Sequence, residues 1–265
     1  MHIIWKYYVL LFFITVSGHA LADFDEEKQA IEAGHYDQAI NTLKPKAEQN
    51  NPEAQFYLGY ALAVKVFSSE RTNPDDELEA EKWLKKSAES GNTEAMYILA
   101  NAYLQGLAGN EEPDEAFLWL DRAAETGYAP AQMLAGSLYY EGEMLDQDCQ
   151  KALGLLEKAA EQHIAEAQKK LAQYYQEGIC ITPQQTLSLS WLEKAADMND
   201  TEAFYLLGYR YLVGSGAPID WELAGKWLGR ASGAGYHQAD ELMDLYGLNK
   251  DRENQIKKEE KKNNE

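Results

Sequence analysis

Apolar and polar positions along this chain repeat with a period much longer than one helical turn. Each period opens with an alanine, followed four residues later in most periods by a leucine and eight residues later by a tyrosine. The alanines are Ala54, Ala95, Ala131, Ala167, Ala203 and Ala239; the first step is five residues longer than the four equal steps that follow it. Offsets of 0, 4 and 8 lie on one face of an α-helix, so each period begins with a helix that buries this face.

A second helix follows in each period. Between the two helices stands a glycine, a residue that takes the left-handed conformation found at helix ends. These glycines are Gly106, Gly142, Gly178 and Gly214. The second helix carries a large apolar residue in register, namely Trp83, Trp119, Leu155, Trp191 or Trp227. The position that ends this second helix is occupied by Gly91, Gly127, His163, Asn199 or Gly235. Each unit therefore reads as helix, turn, helix, turn.

The aromatic residues in register are predicted to be core residues. Stacked repeats bury their apolar faces against their neighbours, so large side chains that recur at one position fill the interface between units. We therefore expect them to be structural and not to form a cofactor site. These residues are Tyr103, Tyr139, Tyr175, Tyr211, Trp83, Trp119, Trp191 and Trp227.

The pattern resembles that of the Sel1-like repeat family, a relative of the tetratricopeptide repeat. The likeness is carried by AFYLLGYRYLVG from Ala203, which fits A-x(3)-L-[GA]-x(2)-Y-x(2)-G, and by AEKWLKKSA from Ala80, which fits A-x(2)-W-L-x-K-[AS]-A. The resemblance implies an all-α fold, a right-handed α/α solenoid of helix-turn-helix repeats that offers a concave surface to a partner protein. It implies no reaction. In the third unit Ala135 and Leu155 replace the usual leucine and tryptophan.

The period divides the chain into a leader, a cap, a solenoid and a tail. The predicted segments are a signal peptide at 1–22, an N-terminal capping repeat at 23–51, full units at 52–92, 93–128, 129–164, 165–200 and 201–236, a half repeat at 237–248, and a charged tail at 249–265. The cap is expected because a terminal repeat must present a polar outer face. The tail has one large aliphatic residue, Ile256, and cannot bury enough surface to fold alone.

The segment 1–22 has the pattern of a cleaved secretory signal. Lys6 precedes the apolar run from Tyr7 to Val16, and Ala20-Leu21-Ala22 places small residues where a signal peptidase cleaves, so cleavage is expected after Ala22. A membrane anchor is the alternative, but the run is about half of the roughly 20 residues that a span needs. The mature chain is expected in a bacterial periplasm, with secretion as the alternative.

The charge of the chain narrows the choice of partner. The formal net charge is −20, and it becomes −21 without the leader, which holds Lys6 and no acid. Such a surface repels nucleic acid and anionic lipid, because phosphate binding needs a basic patch. We expect no nucleic-acid partner and no stable membrane anchor. Two interpretations stay open: the acids solvate the outer helix faces, or they speed encounter with a basic partner.

The residues that could carry chemistry predict no catalysis. His35, His163 and His237 remain in the mature chain, each at a turn of a different unit, and no metal-ligand spacing joins them. The chain has no HExxH motif, glycine-rich phosphate loop or nucleophile elbow. We therefore expect no enzymatic activity, no metal and no cofactor.

The two cysteines lie at the same edge of adjacent units. Cys149 stands at the start of the second helix of its unit, and Cys180 stands in the turn of the next unit. Equivalent points on packed helices are roughly 8–10 Å apart, and a disulfide needs Cα atoms within about 7 Å. Their offset and the flexible turn can close that gap, and an oxidising compartment favours the bond. We predict a disulfide, with two separately buried thiols as the alternative.

The partner surface is inferred from the resemblance. In tetratricopeptide repeats, first-helix positions that are neither core nor repeat-defining line the groove, and here they fall two, six and nine residues after the alanine. Tyrosine is frequent at these positions and is common in binding surfaces. The predicted partner-binding residues are Tyr57, Tyr60, Tyr97, Asn101, Tyr140, Tyr205 and Tyr209. The alternative is that the neighbouring repeat partly buries them.

A second candidate contact is a loop in the first full unit. It is five residues longer than its counterparts and runs from Val64 to Asp76. Long loops tend to be functional or mobile, and a tolerated surface insertion is the alternative. Its candidate contact residues are Val66, Phe67, Ser68, Ser69, Glu70 and Arg71.

The function expected from these features is binding of another protein. The leading hypothesis is a non-enzymatic adaptor that binds an envelope-complex subunit in the periplasm. The alternatives are an immunity protein that neutralises a toxic secreted effector and a secreted virulence factor that contacts a host protein. The sequence leaves the choice among these three open.

Overall fold

The computed structural model describes residues 24–69, 73–106, 113–142, 144, 146–179 and 181–248. Over these residues the chain forms thirteen α-helices and no β-strand, which confirms the predicted all-α repeat fold. The predicted signal peptide, the predicted tail and Cys180 lie outside the described residues. No helix in the described part of the chain is both long enough and apolar enough to cross a bilayer.

The helices follow one another in pairs along the chain. In chain order they are α1 Asp25–Glu32, α2 Tyr36–Glu48, α3 Pro52–Ser68, α4 Pro74–Glu89, α5 Thr93–Leu104, α6 Pro113–Glu125, α7 Ala129–Glu141, α8 Cys149–Glu161, α9 Ala165–Glu177, α10 Gln185–Asp197, α11 Thr201–Val213, α12 Trp221–Gly233 and α13 His237–Leu245. The first helices of the five full repeats are α3, α5, α7, α9 and α11, and each is followed by the second helix of its repeat.

These helices belong to two compact units, one ending at Ala135 and one beginning at Gly136. In the first unit α3 packs against α2 and α4, and α5 packs against α4 and α6. In the second unit α9 packs against α8 and α10, α11 packs against α10 and α12, and α13 packs against α12. The first helices α3, α5, α9 and α11 thus each contact the second helix of their own repeat and the one before it, as expected of a stacked array.

An N-cap fixes the start of several first helices. The side-chain oxygens of Asn51, Asn92 and Asp200 accept hydrogen bonds from the backbone N–H three residues later, at 2.9, 2.8 and 2.8 Å. Each of those N–H groups belongs to the alanine that marks the period. The cap satisfies a backbone donor that has no partner within the helix. The alanine register is therefore also the register of helix initiation.

The turn after each second helix keeps one backbone conformation with different residues. Gly91 and Gly127 have φ of +95° and +93°, and His163 and Asn199 have φ of +60°. Residues other than glycine rarely take positive φ, although histidine and asparagine are enriched there. The slot identified from the period is thus a left-handed position in each of these repeats.

The small residue after the recurring leucine lets the two helices of a repeat approach closely. Leu207 is completely buried, and a Cβ added to the adjacent Gly208 would lie 2.5 Å from Cγ of Leu228 in α12. In α3 a Cβ on Gly59 would lie 2.8 Å from Cγ of Leu84 in α4. The [GA] position of the repeat motif is therefore a packing contact between first and second helices.

Three of the four tyrosines predicted as core are buried with their hydroxyl groups bonded. Tyr103, Tyr175 and Tyr211 are 2%, 5% and 9% exposed. Their hydroxyl groups donate to a glutamate of the preceding second helix, Glu81 at 2.8 Å, Glu157 at 2.6 Å and Glu193 at 3.1 Å. Tyr139 is only half-buried.

The tryptophans explain the basic residue of the second-helix motif. Trp83, Trp119 and Trp191 are buried as predicted, but Trp227 is half-buried. Three residues after each tryptophan, a cation lies over the ring, with centroid distances of 5.4 Å for Lys86, 4.8 Å for Arg122, 3.4 Å for Lys194 and 4.8 Å for Arg230. Cation–π contact thus links the W and K positions of A-x(2)-W-L-x-K.

The prediction of a long loop in the first full repeat, at 52–92, is wrong. Helix α3 continues through Ser68, and α4 begins at Pro74, so the extra residues mainly lengthen helices. Within the predicted loop, Val66 is 4% exposed and belongs to the core. Residues 70–72, which include Glu70 and Arg71 of the proposed contact, lie outside the described residues.

The lengthened α3 packs against the N-terminal capping repeat. Lys65 pairs with Asp37 at 2.9 Å and with Asp76 at 2.9 Å, and both carboxylates raise the pKa of its amine. The hydroxyl groups of Tyr36 and Ser68 lie 3.3 Å apart. The insertion therefore extends the contact between α3 and the cap, which the period alone assigned to a surface loop.

Candidate partner-binding surface

In the first unit, two of the predicted partner-binding residues are buried. Tyr97 is 9% exposed and Asn101 is 5% exposed. The amide of Asn101 donates to the carbonyl oxygen of Tyr97 at 2.9 Å, and the ring of Tyr97 meets that of Tyr128 edge-on at 5.5 Å. Burial raises the pKa of both Tyr97 and Tyr128. Tyr97 packs against Tyr128 at the end of its own repeat and Asn101 bonds back to its own helix, so these two side chains present almost no surface to a partner.

The other two residues in the first unit are half-buried and occupied by contacts within the chain. The ring of Tyr57 lies 5.7 Å from that of Phe24, and the Lys28 amine lies 4.9 Å above it. Tyr60 stacks on Phe56 at 6.1 Å, and burial raises the pKa of Tyr60 to about 12. The contacts of Tyr57 with Phe24 and Lys28 help to attach the N-terminal cap, and both tyrosines keep little surface for a partner.

In the second unit the predicted residues range from buried to exposed. Tyr140 is 2% exposed because its ring stacks on Tyr174, with centroids 3.6 Å apart and planes 2° from parallel. Burial raises the pKa of Tyr174 to about 12. Tyr205 is half-buried against Tyr236 at 4.9 Å, whereas Tyr209 is 43% exposed. Tyr209 is therefore the predicted residue most available to a partner.

Two adjoining clefts open along α9 in the second unit. The α9–α11 cleft, of about 220 Å³, is lined by Glu166, Lys169, Lys170, Gln173, Gln176, Leu192, Glu202, Leu206 and Arg210. The α7–α9 cleft, of about 320 Å³, is lined by Tyr140, Glu141, Lys170, Gln173, Tyr174, Glu177 and Ile179. Lys170 and Gln173 border both, so the clefts form neighbouring parts of one first-helix face.

Lys169 organises the acidic residues of the α9–α11 cleft. Its amine lies 3.0 Å from Glu166, 2.5 Å from Glu202 and 3.3 Å from Asp200. Burial alone would lower the pKa of Lys169, but the bonds to Glu202 and Glu166 outweigh it and raise the pKa. The side chain of Lys169 is 11% exposed, so these ion pairs are better shielded than typical surface pairs.

Arg210 was missed by the sequence analysis. Its side chain is 5% exposed and donates to Ser215 Oγ at 2.8 Å, to Gln185 Oε1 at 3.4 Å and to Gln176 Oε1. Burial lowers the pKa of Arg210. The signal was present in the sequence, because the position seven residues after the alanine holds Ala61, Ala102, Leu138 and Tyr174 in the other full repeats. A cation in an apolar column marks a special site.

Only one of the two cysteines of the predicted disulfide lies among the described residues. Cys149 is the first residue of α8, as expected, but Cys180 lies outside the described residues, so the disulfide stays a prediction. Across the described residues no group of three or more histidine, cysteine, aspartate or glutamate side chains could hold a metal ion.

Comparisons with solved structures place this fold among Sel1 repeat proteins. A protective antigen present in uropathogenic Escherichia coli strains, which displays an SLR fold, is 29% identical with a TM-score of 0.68 over 78% of this chain and 44% of that chain. A Sel1 repeat protein from Oxalobacter formigenes is 28% identical with a TM-score of 0.64 over 79% of this chain and 59% of that chain. This chain thus spans less than two thirds of either relative.

An immunity protein from Pseudomonas aeruginosa is 16% identical with a TM-score of 0.48 over 82% of this chain and 83% of that chain, which carries no inference about function. No curated protein matches this chain. The family model of the Sel1 repeat matches residues 52–92, 93–128, 129–163, 165–200 and 201–236. Proteins of this kind generally mediate protein–protein interaction. With matched repeats over most of its length, this chain belongs to the Sel1 repeat family.

Proposed function

We propose that this chain is a non-enzymatic binding module that holds a partner protein against the first helices of its second unit. The observation that carries the proposal is the pair of adjoining clefts along α9. Gln173 borders both clefts, is exposed and donates to Glu177 of its own helix, so contacts between repeats do not account for it. Directional polar groups in a cleft favour recognition of a partner segment.

Tyr209 supplies the aromatic contact that such a surface uses. It is 43% exposed on α11, three residues after Leu206, which lines the α9–α11 cleft. Tyrosine buries a large area on binding, keeps a hydroxyl group for hydrogen bonding, and is enriched among residues that dominate binding energy. Tyr209 next to the cleft therefore supports the face of α9 and α11 as the contact surface.

The proposed setting is the bacterial periplasm, where the chain acts as an adaptor for an envelope complex. The support is the leader pattern, with Lys6, an apolar run and Ala20-Leu21-Ala22, together with the acidic mature chain. A disulfide between Cys149 and Cys180 is proposed for the same oxidising compartment. Fractionation and N-terminal sequencing should find the mature chain in the periplasm with Asp23 as its first residue.

Affinity capture tests the proposed function. The tagged chain is expressed in its own cell envelope, cross-linked gently and captured, and the proteins that come with it are identified by mass spectrometry. Tyr209→Ala should reduce recovery of a stoichiometric partner, whereas Leu118→Ala, which truncates a similarly exposed side chain (44%) on α6, should not. Equal recovery with both variants would place the contact elsewhere.

The identity of the captured protein decides among the roles. Envelope-complex subunits support the adaptor. A toxic effector recovered at one copy per chain would establish an immunity protein instead, and protection of cells from that effector would then depend on Tyr209. A host protein captured only from outside the cell would establish a secreted virulence factor.

A further inference from the structure

Arg210 is a buried cation whose hydrogen-bond acceptors are all neutral. Its three bonds, to Ser215, Gln185 and Gln176, use both hydrogens of one terminal nitrogen and one hydrogen of the other. A guanidinium has five donors in a planar fork, so two are left over. A buried charge is normally paired with an opposite charge. Among the described residues no ion pair involves Arg210, although it lines the α9–α11 cleft.

The acids near Arg210 are committed elsewhere. Glu166 and Glu202 line the same cleft, but both are held by Lys169, at 3.0 and 2.5 Å. Lys170 also lines the cleft and, within the described part of the chain, takes part in none of the ion pairs. Over the same described residues, the cleft therefore offers two cationic side chains that have no counter-ion of their own.

We propose that the α9–α11 cleft binds the side-chain carboxylate of an aspartate or glutamate in an extended segment of a partner protein. Arg210 supplies the planar donors that fit a carboxylate, and Lys170 supplies a second positive charge. This assignment rests on the proposed function of the face and adds the chemistry of the bound group.

The surroundings of the cleft favour a carboxylate from within a chain. Glu166 and Glu202 at its border would repel the double charge of a phosphate more than the single charge of a carboxylate. The α7–α9 cleft adjoins it through Lys170 and Gln173, which gives an extended segment a path to continue. A chain terminus would need only one of the two clefts.

A purely structural role for Arg210 makes a different prediction. The guanidinium connects α9 through Gln176, α10 through Gln185 and the turn after α11 through Ser215. If that is its whole role, removing the charge lowers stability but no carboxylate binds beside it. Ligand binding and stability must therefore be measured separately.

The test uses two capped tripeptides, Gly-Glu-Gly and Gly-Gln-Gly, which differ in one carboxylate, and Gly-Gln-Gly with a free C-terminal carboxylate. Each is titrated into the mature chain while the arginine side-chain resonances are followed by NMR. We expect capped Gly-Glu-Gly to shift the Arg210 guanidinium signals and to bind at least tenfold more tightly than the other two peptides. Equal binding of the capped pair, or tighter binding of the free C-terminus or of inorganic phosphate, would overturn the proposal.

Variants separate a local site from general electrostatics. Arg210→Gln should weaken Gly-Glu-Gly at least tenfold, and Arg210→Lys, which keeps the charge and lessens the risk of misfolding, should weaken it less. Lys226→Gln removes the same charge at an exposed pair with Glu222 in the same unit and should leave binding unchanged. Equal losses in Arg210→Gln and Lys226→Gln would refute a specific site. If capture of a partner depends on Tyr209 but capped Gly-Glu-Gly does not bind, the proposed function stands and the carboxylate proposal fails.

Discussion

Gly208 and Gly229 form a matched pair that tests how closely the helices of one repeat pack. Both lie inside helices of the fifth full repeat, Gly208 in α11 and Gly229 in α12. A Cβ on Gly208 would lie 2.5 Å from Leu228 Cγ and 2.8 Å from its Cδ2, whereas a Cβ on Gly229 would meet nothing within 4 Å. The same substitution to alanine should therefore change stability in opposite directions.

The expected magnitudes follow from two opposing effects. Glycine to alanine inside a helix stabilises by about 1 kcal/mol, which is the expected result for Gly229→Ala. Gly208→Ala has the same gain, but forcing a methyl group into a packed contact destabilises by about 1–3 kcal/mol. Gly208→Ala should thus be up to about 2 kcal/mol less stable than the parent chain, and about 1–3 kcal/mol less stable than Gly229→Ala.

Urea unfolding of the mature chain, followed by circular dichroism, measures this difference. The comparison requires that the free energy of unfolding has the same dependence on urea concentration in both variants. Leu228→Ala gives a further control, because it removes the two atoms closest to the added methyl group and leaves the carbonyl oxygen of Ala224 at 3.2 Å. Leu228→Ala alone should destabilise by about 2–5 kcal/mol, and adding Gly208→Ala to it should then stabilise by up to about 1 kcal/mol. The reasoning is refuted if Gly208→Ala and Gly229→Ala raise stability equally, since that would show that Leu228 moves aside at no cost.

Alkaline pH, thiol content and salt each test another contact. Burial raises the pKa of Tyr60 and Tyr174 to about 12, so these tyrosines ionise at lower pH in the unfolded chain than in the folded one. Their contribution to stability is therefore complete below about pH 10 and is lost between about pH 10 and 12. Tyrosinate absorbance and circular dichroism measure the ionisation and the unfolding. The denatured, unreduced chain should contain no free thiol, and two would contradict a Cys149–Cys180 disulfide. Lys65→Met should lower stability by about 0.5 kcal/mol, less in high salt, as urea unfolding will show.

The fold was predictable because one set of residues carries several local signals. The alanine of each period is buried and, after Asn51, Asn92 and Asp200, its backbone N–H also donates the N-cap hydrogen bond. Helix start, buried face and inter-repeat contact therefore coincide, and counting along the sequence is enough to find them. Left-handed residues at the turns add a stop signal that does not depend on tertiary contacts.

The insertion in the first full repeat shows what counting residues between alanines misses. A longer step between alanines says that residues were added, but not whether they lengthen a helix or a loop. The distinguishing signals were Val66, which continues the apolar face of α3, and Asn73 before Pro74, which caps α4 with a bond of 3.2 Å to the N–H of Asp75. Cap chemistry, and not the period, locates the true turn.

The binding surface was harder to predict because an offset fixes a helix face and not its exposure. Asn101 and Tyr209 share the same offset from their alanines, yet they are 5% and 43% exposed. Tyr97 and Tyr205 also share an offset, and Tyr97 is buried against Tyr128 while Tyr205 is half-buried against Tyr236. The aromatic residue at the end of the same repeat covers each of these two tyrosines, and an offset counted from the alanine does not show how far that contact buries the ring.

Arg210 shows how a repeated contact can become a binding site without any change of backbone. The residue nine after one alanine meets the residue seven after the next: Tyr140 stacks on Tyr174, and at the following junction Gln176 accepts a hydrogen bond from Arg210. The first pair is a stack of two aromatic rings, whereas the second is a hydrogen bond between an amide and a charged guanidinium, and both pairs border clefts. Because repeats hold these positions equivalent, chemistry specific to this chain lies where one residue departs from its column. A repeat sequence therefore points to its function through its outliers, and Arg210 is such an outlier.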